Sequence, residues 1–376
     1  IMISIELGGD LEKEFDVYGI EHHVVDTGGI LSVKGMKKLY DILKKLEIDI
    51  IHTNTTKSHI QSRLISIFLK NKIVVSSYRN APKWLLSSDK RDLLRKIIDR
   101  STARFLNDIL IFVSKGTLEY FSNNGYYNSN TKVIYNSIDV DLIGKVKVSR
   151  DELNKRFNIK ENQIIIVSIG RLTEQKGYEF LFPAINQVSK KLKNVKLLIF
   201  GEDQSDGYYE KLIKTYKYID YSIIDSYPKI LEVLSIADVF VSSSLWEGLP
   251  RAHLESLLCG CPVISTDIIG SNEVIKNKFN GLLVAPRNSK KITIAINEIL
   301  NSGKDKYKYS LNGFSVLRDK FDIKKNTIKP VSYTHLRAHE TDSYLVCRLL
   351  LEKTQPHHAV RAQRRSRQRR GCGAHG

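Results

Sequence analysis

Ser243-Ser244-Leu245-Trp246-Glu247-Gly248-Leu249-Pro250-Arg251-Ala252-His253-Leu254-Glu255 sets two glutamates eight positions apart, the first in a Glu-Gly-Leu-Pro turn. A strand-like run, Asp238-Val239-Phe240-Val241, precedes it. An apolar helix-like run from Leu254 to Cys259 follows, then a second strand-like run, Pro262-Val263-Ile264-Ser265. Strand, turn, helix, strand is the order of a parallel α/β sheet. Such sheets bind ligands beyond the carboxyl ends of their strands, where this turn falls. Pro250 suits the first helical turn, where its missing N–H has no partner to lose. Glu247 then stands at the mouth of the helix, near the backbone N–H groups of Gly248 and Leu249. Glu255 lies about two turns along, roughly 80° past two full turns, so one long ligand can reach both carboxylates. Taken alone, such a pair is more often two solvated side chains, because charged residues are mostly exposed.

The apolar run Ile164 to Ile169 ends in Gly170-Arg171-Leu172-Thr173-Glu174-Gln175-Lys176-Gly177, and a helix-like segment opens at Tyr178. Two cations five positions apart, between strand and helix, suit a diphosphate. Gly170 and Gly177 let the backbone approach closely and turn sharply, and helix N-terminal amides add positive potential. In isolation this is also an ordinary loop with two solvated cations. A third segment, Lys132-Val133-Ile134-Tyr135-Asn136-Ser137-Ile138-Asp139, follows Ser114-Lys115-Gly116 at a strand end. Asn136 and Asp139 are turn formers with a structural role.

Together these segments resemble the retaining glycosyltransferases of the GT-B fold in the large family-four group. The family pattern is Glu, seven residues, Glu, followed by Gly-x-Pro-Val-(Ile/Val)-(Ala/Ser)-Thr-Asp. Here it reads Glu247 to Glu255, then Gly260-Cys261-Pro262-Val263-Ile264-Ser265-Thr266-Asp267. Gly270-Ser271-Asn272-Glu273-Val274-Ile275 and Gly281-Leu282-Leu283-Val284 continue the likeness. The resemblance implies an α/β protein with two Rossmann-like domains facing across a cleft. It implies transfer of a sugar from a nucleotide-diphosphate-sugar to a glycan or lipid-linked glycan acceptor, in bacterial surface polysaccharide synthesis. The donor-binding set it implies is Gly170, Arg171, Lys176, Glu247, Gly248, Leu249, Pro250 and Glu255. Arg171 and Lys176 hold the diphosphate and take up its leaving charge, Glu247 contacts the sugar hydroxyls, and Glu255 accepts from the ribose. Arg171, Lys176 and Glu247 form the catalytic group, with no metal and no cofactor. Retention in the family proceeds on one face of the sugar, with the leaving phosphate helping to deprotonate the acceptor.

The expected domains are residues 1–145 on the acceptor side, 146–312 for the donor, and 313–330 as a truncated crossover helix. The N-terminal domain is expected to be incomplete, a gene fragment lacking its first strand, loop and helix: Gly19-Ile20-Glu21-His22-His23-Val24-Val25 follows the opening run Ile1-Met2-Ile3-Ser4-Ile5 too soon for Gly8-Gly9 to be the family's glycine-rich loop. Residues 331–376 resemble translated sequencing adapter. Val331-Ser332-Tyr333-Thr334-His335-Leu336 opens that tail, and its arginine usage contrasts with the lysine- and isoleucine-rich body. The whole chain carries a net charge of +18, but this tail holds nine Lys and Arg against three Asp and Glu, so the body stands at +12. Setting the tail aside removes the appearance of a nucleic-acid arm. Only Cys259 and Cys261 of the four cysteines then remain, read as small packed reduced side chains in a cytoplasmic enzyme. No zinc-type cysteine or histidine cluster, signal peptide or membrane-length apolar run occurs.

Arg79 to Arg104 is rich in cations beside Trp84, Leu85 and Leu86. It reads as a solvated helix face or as a site for an anionic membrane surface, with peripheral attachment to the inner face of the plasma membrane. His52 ends a predicted strand and is expected to pack or to serve a turn. Arg79 stands where relatives place a cleft histidine, and Ile223-Ile224-Asp225-Ser226-Tyr227-Pro228 lacks the family's glycine beside the nucleobase. The motifs leave open the sugar, base, acceptor and linkage. Two alternatives remain at this stage: another GT-B enzyme, a phosphorylase or a nucleotide-sugar epimerase, and a non-catalytic sugar-nucleotide-binding subunit.

Overall fold

The computed structural model describes residues 1–5, 15 and 19–326. The Gly8-Gly9 loop and the tail from Val331 lie outside the described residues. The described chain falls into two compact units that divide between Leu46 and Glu47. In the first, strands β1 (Met2–Ser4) and β2 (His22–Val24) pair in parallel, His22 beside Met2. A helix over Val33–Lys45 follows, started by Ser32, whose hydroxyl accepts from the Gly35 amide. Its buried face is Leu39 and Leu43, one turn apart.

The second unit holds two parallel sheets. β3 (Ile50–Thr53), β4 (Ile73–Tyr78), β5 (Ile109–Phe112) and β6 (Thr131–Val133) pair in chain order. The other sheet runs β12 (Leu282–Val284), β11 (Val263–Thr266), β10 (Val239–Ser242), β7 (Ile164–Ile169), β8 (Val195–Phe200), β9 (Asp220–Ile224). The chain builds outward from β7 through β8 to β9, then returns to β7's other side and builds outward again through β10. That reversal makes a topological switch point between β7 and β10, the place where open α/β sheets bind ligands.

The strands are β-branched because both sheet faces are covered. Ile166 turns to a cluster with Leu197, Ile199, Val241 and the Tyr178–Leu192 and Ser289–Asn301 helices. Ile165 and Val167 turn the other way, onto Leu198, Phe240, Leu254 and Phe321. The strand and helix starts at Ile164 and Tyr178 fall where the sequence placed them. The helix after the Glu-Gly-Leu-Pro turn begins earlier than its apolar run suggested, at Arg251, and ends at Leu258. Pro250 is its N-cap, in an extended conformation, one residue outside the first-turn position expected for it.

After the Gly303–Val316 helix the chain returns to the linker between the sheets. Ile138 donates to the Phe321 carbonyl (2.9 Å) and Ile323 donates to that of Ile138 (3.0 Å). Asp139 caps the short 3-10 turn Val140–Lys145 of that linker.

Candidate functional site

The loops that leave β7 and β10 flank the switch point and meet there. The β7 loop needs Gly177: its φ is +63°, and a Cβ would stand 2.2 Å from the Ser243 carbonyl of the β10 loop. The Ser243 hydroxyl donates back to the Lys176 carbonyl (2.8 Å), and Leu245 donates to that of Gln175 (2.7 Å). These bonds hold the two motifs side by side.

Their charged side chains then touch. Lys176 Nζ lies 2.6 Å from Glu247 Oε1. Ser244 Oγ donates to the same oxygen at 2.8 Å, and Gln175 Nε2 donates to the Trp246 carbonyl at 2.9 Å. The Glu247 side chain is only 10% exposed, so these partners matter to it. The Lys176 stem crosses Gly170, where a Cβ would stand 2.6 Å from Lys176 Cε. Arg171 is exposed and donates from Nη1 to Gln204 Oε1 (3.0 Å).

Glu255 lies apart from that ion pair. Its nearest cation is Arg251, one helical turn back, with Nη2 at 3.6 Å. Burial raises its pKa, and Arg251 partly opposes the rise. Among the described residues, the Gly248 and Leu249 amides donate to no protein acceptor, which leaves two donors at the mouth of the Arg251–Leu258 helix. His253, behind them, is buried with Nε2 2.7 Å from Ser265 Oγ. Burial first and Lys176 second press its pKa down to about 3.

The four-stranded sheet reaches this turn. A Cβ on Gly248 would stand 2.1 Å from the Arg79 carbonyl, and one on Gly270 would stand 2.0 Å from the Gly248 carbonyl. Asn136 Nδ2 donates to the Leu249 carbonyl (2.9 Å), and Lys83 pairs with Glu174 (2.7 Å). Glu273 spans the two sheets: its carboxylate accepts from the Gly116 amide (2.6 Å) and the Lys115 amide (3.1 Å), at the start of the Lys115–Ser122 helix. The sequence marked Glu273 within a motif but gave no sign of this partner. Ser244 and Gln175 were passed over too, since a serine and a glutamine beside a charged motif carry no pattern of their own.

His52 bonds through Nε2 to Ser77 Oγ (2.7 Å). Tyr227, in the segment that departs from the family pattern, meets Phe157 edge to face, and the Arg156 guanidinium lies over its ring (4.9 Å). Cys259 and the buried Cys261 are free thiols. Among the described residues, no three His, Cys, Asp or Glu side chains are grouped to hold a metal ion, and no helix is long and apolar enough to cross a membrane.

The chain is 30% identical over 261 residues to an uncharacterised glycosyltransferase of Methanocaldococcus jannaschii, a match covering 66% of this chain and 63% of the relative. It is 26% identical over 270 residues to the Escherichia coli UDP-Gal:alpha-D-GlcNAc-diphosphoundecaprenol alpha-1,3-galactosyltransferase, covering 68% and 67%. In three dimensions it matches Anabaena HepE in complex with UDP-glucose (TM-score 0.77, 19% identity, 89% and 91% covered). It also matches sucrose-phosphate synthase of Thermosynechococcus elongatus (TM-score 0.74, 19% identity, 86% and 84% covered). The fold is therefore the GT-B type, with its parallel α/β sheets. Residues 5–142 match the family model Glycosyltransferase Family 4 and residues 149–315 match Glycosyl transferases group 1, so these two segments place the chain among the glycosyltransferases.

Proposed function

We propose that the protein is a retaining hexosyltransferase of bacterial surface polysaccharide synthesis, with residues 146–312 as its donor domain. The contact of Lys176 with Glu247 across the switch point carries this reading, because it joins the phosphate motif to the sugar motif. The donor is a nucleotide-diphosphate-sugar. Uridine diphosphate is the first nucleotide to test, since HepE is seen with UDP and UDP-glucose. The acceptor is a glycan or a lipid-linked glycan, the class on which the E. coli relative acts.

The diphosphate lies against Arg171 and Lys176, with the Gly248 and Leu249 amides donating to donor oxygens. Glu255 accepts from the ribose hydroxyls and Glu247 from the sugar. As the bond from the anomeric carbon to the phosphate oxygen breaks, charge builds on that oxygen, and the two cations stabilise it without a metal. The acceptor hydroxyl attacks from the same face, its oxygen bonds to the anomeric carbon, and its proton passes to the leaving phosphate. Residues 1–145 hold the acceptor, with the Lys90–Phe105 helix of the cationic Arg79–Arg104 stretch facing an anionic membrane surface from the cytoplasmic side. The test is a panel of UDP-sugars with an undecaprenyl-diphosphate-linked sugar, reading UDP release and the anomeric configuration of the product. Retained configuration is expected; an inverted product, or no UDP release from any donor, overturns the reading.

A further inference from the structure

His52, Ser77 and Arg79 gather at the carboxyl ends of β3 and β4. The parallel register sets His52 beside Val75. Val75 and Ser77 alternate along β4 and project from one face, and Arg79 follows directly after the strand end at Tyr78. His52 Nε2 sits 2.7 Å from Ser77 Oγ. The Arg79 carbonyl lies against Gly248, as the 2.1 Å approach of a Cβ there shows. The cluster therefore borders the Glu247-Gly248 turn.

Its charge is uncompensated. Lys83 and Arg95 nearby pair with Glu174 and Asp92, whereas the exposed Arg79 has no carboxylate partner among the described residues. Desolvation and the Arg79 guanidinium both lower the His52 pKa, which leaves a neutral imidazole and one cation. A guanidinium offers a planar fork of donors that matches phosphate and carboxylate oxygens. A neutral sugar hydroxyl would leave that cation without a counter-charge.

We infer that His52, Ser77 and Arg79 form an oxyanion subsite beside the sugar end of the donor site, taking a phosphate or carboxylate carried by one of the two substrates. The inference rests on the donor-site reading above. Arg79 makes the charged contact, and His52 and Ser77 supply hydrogen bonds to the remaining oxygens.

Calorimetry on the full chain tests it in two arms. Octyl diphosphate against octyl glucoside reads an anion on the acceptor, and UDP-glucuronate against UDP-glucose reads an anion on the donor. The wild type is expected to bind the anionic member of one pair about tenfold or more tightly than the neutral member. Arg79→Gln removes that preference, Arg79→Lys keeps part of it, and bare UDP binds both variants as it binds wild type. The lysine variant carries the comparison if Arg79→Gln melts early. No preference in either arm, or a preference that survives in Arg79→Gln, overturns the subsite. Failure of wild type to bind UDP instead sinks the donor site, while the octyl diphosphate arm still reads the subsite.

Discussion

Lys176 and Glu247 meet at 2.6 Å although they come from loops after different strands, and the carboxylate they share with Ser244 is nearly closed to water. A diphosphate arriving at Lys176 competes with Glu247 for the same ammonium. On the proposed donor assignment, donor binding and the freeing of Glu247 for the sugar are one exchange of partners.

Arg171→Ala and Lys176→Ala are each expected to lower turnover by ~10²-fold or more through lost stabilisation of the leaving phosphate. Lys176→Ala also strands Glu247, so it should destabilise the fold by about 1–3 kcal/mol, whereas the exposed Arg171 should not. Steady-state kinetics with parallel denaturant melts separates the two effects. Activity within a few-fold of wild type in both variants would sink the assignment.

The two glutamates are expected to differ. Glu255→Gln should weaken bare UDP by ~1–3 kcal/mol, as for a charged hydrogen bond. Glu247→Gln should leave UDP binding nearly unchanged and lower turnover. Nucleotide calorimetry decides, and the reverse pattern would mean that the roles are exchanged.

Charge neutralisation by Arg171 and Lys176 predicts turnover unaffected by chelation. The rate should stay constant as excess EDTA is added to dialysed protein. A loss restored by magnesium or manganese would refute a cation-only site.

The buried His253 ties stability to pH. Its folded pKa, about 3, lies below the unfolded value of about 6.5. Between these values the unfolded chain binds the extra proton, so stability falls as pH drops through 6.5 and levels off near 3. From pH 7.5 to 5 this one group costs about 2 kcal/mol. Urea melts of His253→Gln should show a shallower loss over that range than wild type. An identical slope would show that His253 does not titrate this way.

The Lys90–Phe105 helix leaves Leu93, Leu94 and Ile97 exposed, with Leu86 before it and Lys90, Arg91 and Arg95 alongside. Vesicles containing phosphatidylserine should sediment the protein, neutral vesicles should not, and Leu93→Ser with Leu94→Ser should weaken binding. Equal binding to both vesicle types would count against a charged docking face.

Much of the half built on the six-stranded sheet was legible because its signals are local. Ile164 to Ile169 reads as a buried strand from β-branching alone, and a glycine before Tyr178 marks where the helix opens. The start of the Arg251–Leu258 helix was less clear, since Arg251, Ala252 and His253 come before the apolar run although Pro250 has already set the backbone. Contacts between distant segments left no periodic trace. Glu273 meets the Gly116 amide across 157 positions, and nothing about a glutamate predicts that its partner is a backbone N–H. The approach of Arg79 to Gly248 was equally hidden, because an absent side chain shows only that room is needed, not what fills it.

The Glu273 clasp has a mechanical meaning. At that point one carboxylate accepts from two peptide N–H groups, beside apolar contacts such as Val113 with Leu249 and Val274. Pulling them apart strips both donors at once, then lets water take their place. The carboxylate's share of this join is set by charge, so rising ionic strength should weaken that share once the partners come into water. A glutamine there would keep the shape and surrender most of the grip.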